Sequence, residues 1–136
     1  MDSKDLFQEV RESGLAIGEY ALFGGAQLCV HGLRPCHDMD AIVTEAAWKA
    51  CSDDPTWVTF FGSIDGHPGL KKGNIEVFKT WSPGIWDVEG LIAEAEMIDG
   101  LPFVKLEHVL EWKRMSGRKK DLADITLINR FLQSLT

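Results

Sequence analysis

The segment Tyr20-Ala21-Leu22-Phe23, broken by Gly24-Gly25 and followed at short range by Asp38-Met39-Asp40, confines this chain to folds in which two strands and a helix meet at one charged site. The residues before the glycines are apolar and bulky, the signature of a short buried strand. Ala26 to His31 then resumes as a helix, which places Gly24 and Gly25 at a strand-to-helix turn. The first amides of a helix have no intrahelical partner and carry partial positive charge. Glycine lets a phosphate reach such amides without a side chain in the way, so Gly24 and Gly25 are candidate phosphate-binding residues.

Met39 to Val43 reads as a strand, with Asp38 at its entrance and Asp40 within it. Side chains alternate along a strand, so Asp38 and Asp40 point to one side, their Cα atoms roughly 6.6 Å apart. Carboxylates that close repel one another unless a cation lies between them. Mg²⁺ suits the place, because it takes one or two protein carboxylates and completes its octahedron with phosphates and water. A third acid, Glu76, stands in the strand-like run Asn74-Ile75-Glu76-Val77-Phe78. If Ile75 and Val77 face a core, Glu76 faces the opposite way, toward the cleft. Asp38, Asp40 and Glu76 are therefore the candidate catalytic residues and metal ligands, for Mg²⁺ or Mn²⁺.

At 136 residues the chain is expected to form one domain, 1–136. No apolar run approaches the ~20 residues of a membrane span. The charged start Met1-Asp2-Ser3-Lys4-Asp5 has no signal-peptide character, so a cytoplasmic location is expected. The net charge of −7 argues against broad binding to a nucleic-acid backbone, and leaves local recognition of a tRNA end open. Cys29, Cys36 and Cys51 are odd in number and have no Cys-x-x-Cys rhythm, so reduced thiols are expected rather than a disulfide or a zinc site.

Hydrophobic spacing predicts a helix over residues 3–12, with Leu6, Phe7 and Val10 on one face and Ser13-Gly14 as its stop. A further helix is expected from Glu45 to Cys51. The strand-like runs Trp57–Phe61 and Asn74–Thr80 are expected to form a long hairpin across a loop from Gly62 to Gly73. Asp99-Gly100 suits a tight hairpin turn, with Pro102 on an edge strand. Two helices close the chain, one up to Gly117 and one from about Lys119. The fold class is α/β (α+β), a small mixed β-sheet flanked by helices with a helical C-terminal end. Arg34 is placed to hold a phosphate or to tie down Asp38. Asp121 and Asp124 fit capping or pairing within the last helix. Trp81 and Trp86 fit packing, or stacking on a base.

Phe23-Gly24-Gly25, Asp38-Met39-Asp40 and Ile75-Glu76-Val77 together resemble the nucleotidyltransferase fold of the polymerase-beta-like and antibiotic adenylyltransferases. The style of Tyr20 to Val43, joined to the tail Lys113 to Asp124, is closest to small bacterial toxin-type relatives of the AbiEii group. Many active members carry serine where Gly25 stands and aspartate where Glu76 stands. The resemblance implies transfer of a nucleoside monophosphate from an NTP to a hydroxyl acceptor, a small molecule, a protein or a tRNA end. It also implies a site role for Lys113 and for the following Asp121 and Asp124, with Lys113 or Arg34 steadying the triphosphate. The alternative it implies is a catalytically weak binding protein, the antitoxin-like or regulatory half of a two-protein system, with a helical partner protein or a homodimer as the assembly.

Overall fold

The computed structural model describes residues 3–61 and 66–136. Over that range the elements run α1 (Ser3–Arg11), β1 (Tyr20–Leu22), α2 (Ala26–Val30), β2 (Met39–Val43), α3 (Glu45–Asp53), β3 (Val58–Phe61), β4 (Pro68–Lys72), β5 (Ile75–Phe78), α4 (Val88–Ala93), β6 (Glu96–Ile98), β7 (Leu101–Phe103), α5 (Leu106–Ser116) and α6 (Lys119–Ser134). The strands form one sheet in the order β3-β4-β5-β2-β1-β7-β6. It is mixed, because β2 pairs with β5, and β1 with β7, in parallel while the other neighbours are antiparallel. No helix among the described residues is long and apolar enough to cross a membrane.

Alternation along the central strands creates two cores. Tyr20, Leu22, Ala41, Val43, Ile75 and Val77 join Leu6, Phe7 and Val10 of α1 and Ala47 of α3 in the first. Ala21 and Ile42 join Leu91 and Ile92 of α4, Val109 and Trp112 of α5 and Ile128 of α6 in the second. A sheet buried on both faces explains why β1 and β2 read as nearly unbroken apolar runs. Asp40 is the interruption.

Local signals act as expected at several boundaries. The Thr44 side chain caps α3 by accepting from the Ala47 amide at 3.2 Å. Asp99 and Gly100, at φ 52° and 79°, make the tight turn between β6 and β7. Three expectations are corrected. The anticipated hairpin of β3 with β5 does not form, because β4 lies between them and pairs with both; part of its intended loop, 62–65, falls outside the described residues. Pro102 is not on an edge strand, since β7 lies between β1 and β6; β1 pairs with β7 only at Leu22–Phe103, so Pro102 stands outside that ladder. Cys29 and Cys36 are not reduced but joined as a disulfide, with Cα atoms 6.1 Å apart, while Cys51 is free and buried.

Candidate functional site

The acids converge because of strand register. Parallel pairing sets Asp40 of β2 directly beside Glu76 of β5, and the neighbours of each on its own strand are buried on the opposite face. Asp38, just before β2, completes the group: one ligand atom from each of Asp38, Asp40 and Glu76 lies within 4.8 Å of the others. Oxygens around a bound Mg²⁺ stand about 3–4 Å apart, so small side-chain rotations bring this set to bonding geometry. The donors are all hard oxygens, as Mg²⁺ or Mn²⁺ requires. Burial pushes the Asp40 carboxyl well above the usual carboxylate range, reinforced by its hydrogen bond with Glu76 and the charges of Asp38 and Glu76. In the cation-free site, burial thus favours the protonated form of Asp40.

The glycines meet different demands. Gly24 has φ +60°, and a Cβ there would lie 2.9 Å from Asp40 Oδ2, so both conformation and space forbid a side chain. Gly25 has an ordinary φ of −93°, and what excludes a side chain is the Arg34 guanidinium, which occupies the place a Cβ would take. Arg34 is itself pinned, donating Nε and Nη2 to Asp124 at 2.7 and 2.8 Å. Gly25→Ser is accordingly expected to lose about 1–3 kcal/mol of stability by overpacking in urea denaturation. An unchanged midpoint would mean that Arg34 swings away freely.

Arg34 ties down Asp124, not Asp38, and this is part of a larger arrangement. Lys113 is 2% exposed and donates to Asp124 at 2.8 Å, with Asp121 at 3.6 Å. Asp121 closes the start of α6, accepting from the Arg118 amide and from its guanidinium at 3.1 and 2.7 Å. Burial alone would raise both aspartates, but Arg118 for Asp121, and Arg34 with Lys113 for Asp124, hold them below the usual range. Asp121 thus closes α6 as expected, whereas Asp124 pairs outside the last helix, with Arg34 of the loop before β2 and Lys113 of α5. The site role implied for Lys113 meets a residue already committed to two carboxylates.

A cleft of about 830 Å³ runs from Gly24 and Gly25 past the acids to Phe60, Phe78 and Trp81. Trp81 packs flat on Phe23, ring centroids 4.6 Å apart, and Trp86 meets Phe23 edge-on at 5.9 Å; both are packing residues, although Trp81 also lines the cleft. Two further cations border the acids. Lys71 of β4 lies across from Glu76, Nζ to Oε1 3.9 Å. Lys120 lines the cleft, is exposed, and acts on Asp40 by its charge. Only the pairing of β4 with β5, invisible in the sequence, would have signalled Lys71. Comparison with protein-family models, with curated proteins and with solved structures gives no match for this chain.

Proposed function

We propose that the protein is a Mg²⁺-dependent nucleotidyltransferase that moves a nucleoside monophosphate from an NTP to a hydroxyl acceptor. The observation that carries this reading is the gathering of Asp38, Asp40 and Glu76 within 4.8 Å beside a glycine turn in the same cleft. A divalent cation held there would offset charge on the phosphates and on the attacking and leaving oxygens. Gly24 and Gly25 contribute no side chain to the turn, which faces the Asp40 carboxylate and the Arg34 guanidinium, and a triphosphate would meet it there. Glu76, on β5, would take the acceptor's proton. With Arg34 and Lys113 engaged by Asp124, Lys120, which lines the cleft and is exposed, would serve as a cation for the phosphate tail.

Calorimetry with ATP, GTP, CTP and UTP, with and without Mg²⁺, tests this. Binding of at least one NTP is expected only with metal and only when Asp38 and Asp40 are intact. Lys120→Ala should weaken that binding about five- to tenfold, the worth of one charge-assisted contact, without altering the melting temperature. Metal-independent binding, or none, overturns the catalytic reading.

A further inference from the structure

We propose that Cys29 and Cys36 form a redox-controlled clasp on the loop that carries Asp38, so that thiol oxidation regulates the cation affinity of the cleft. Part of this rests on the metal reading above. Cys29 belongs to α2, directly after the glycine turn, whereas Cys36 lies in the loop from Gly32 to His37. Their bond joins the two segments whose ends form the site. Cys36 Sγ lies 3.6 Å from the Gly25 carbonyl oxygen and accepts from Arg34 Nη1 at 3.4 Å. The same loop is held at Arg34 by Asp124 and leads straight into Asp38. Opening the disulfide therefore removes the anchor nearest that acid on its N-terminal side, leaving it held from the other side by the Met39 amide on the Asn74 carbonyl at 2.9 Å.

The chemistry is thiol–disulfide exchange with a low-molecular-weight disulfide as oxidant. Cys36 borders the cleft, so its thiolate attacks first, forming a mixed disulfide and releasing one thiolate of the oxidant. The Cys29 thiolate then attacks Cys36 Sγ, closing the protein disulfide and releasing the second. Two electrons pass to the oxidant, and the two thiol protons pass to its released thiolates. A guanidinium beside the sulfur is a setting in which such exchange proceeds readily.

Protein treated with oxidised glutathione, then unfolded and alkylated, is expected to expose one thiol, Cys51, and after reduction three. Amide exchange over residues 32–38 should be slower in the oxidised form. Mn²⁺ titration by electron paramagnetic resonance should show roughly fivefold tighter binding to the oxidised form, the gain from pre-organising a short loop. Cys29→Ser/Cys36→Ser should match the reduced protein under both conditions, and Cys51→Ser should behave as the wild type. Three thiols after oxidation, or identical exchange over 32–38 in the two states, overturns the clasp. Equal Mn²⁺ affinity in the two states overturns its control of the site. If neither form binds Mn²⁺, the metal reading fails and control of cation affinity fails with it, while the thiol count and amide exchange still decide the clasp.

Discussion

Asp40→Asn is expected to abolish Mn²⁺ binding and to lower nucleotidyl transfer by at least about a thousandfold, the scale on which charge-stabilising groups act, while leaving the fold intact. Asp40 neighbours both other acids, Asp38 just before its own strand and Glu76 on the next. An amide there keeps the volume and one acceptor oxygen but removes the charge that a cation needs. The stability change should have the opposite sign. Because the folded-state value of Asp40 is raised, the folded chain holds this proton to higher pH than the unfolded chain. Stability is therefore lost as pH climbs from the unfolded value through the folded one. Asparagine removes that cost, so at neutral pH and without metal the variant should melt at or above the wild-type temperature. A variant that still transfers nucleotide would sink the metal assignment; one that melts far lower would show that Asp40 supports the fold.

Asp124→Ala should be the most destabilising change among the charged residues, at about 3–5 kcal/mol by guanidinium denaturation. That is a large share of the 5–15 kcal/mol typical of a whole domain. The alanine strips Arg34 of both its carboxylate bonds and leaves Lys113, buried at 2% exposure, with Asp121 alone at 3.6 Å. An uncompensated charge in the interior costs far more than the pair contributes. The double variant Lys113→Met/Asp124→Leu should accordingly be milder than Asp124→Ala; if it is worse, the network stabilises the fold outright. Acid should act in the same direction as the alanine. Asp121 and Asp124 have lowered folded-state values, so their contribution is complete above the unfolded value near pH 4 and disappears as pH falls through the folded ones.

This network was half legible in the chain. Leu106, Val109, Leu110 and Lys113 follow the spacing of one helix face, as do Asp121, Asp124 and Ile128. Only burial shows which stripe turns inward: Lys113, Asp121 and Asp124 are buried while Leu122 is exposed, and buried charge is tolerated only when paired. The third member, Arg34, is 90 positions from Asp124, and no local pattern connects them. Cys29 and Cys36 were likewise obscured, since seven residues of separation form no recognised rhythm, and only the turn after α2 brings their sulfurs together.

By itself the amino-acid order determined the elements that local physics controls. Alternation set the inward and outward faces of β2 and β5, helical spacing set α1, α5 and α6, and the need for bare backbone at a strand-to-helix turn set Gly24. It thereby also named the three acids. What only the tertiary structure decided was which neighbour each element acquired: β4 between β3 and β5, Glu76 level with Asp40, and Arg34 turned from the phosphate side toward Asp124. Those choices depend on contacts between distant segments, whose energies emerge only when both partners are buried together. Gly25 shows the division most plainly, because its backbone would accept any residue and a guanidinium from another part of the chain is what keeps it bare.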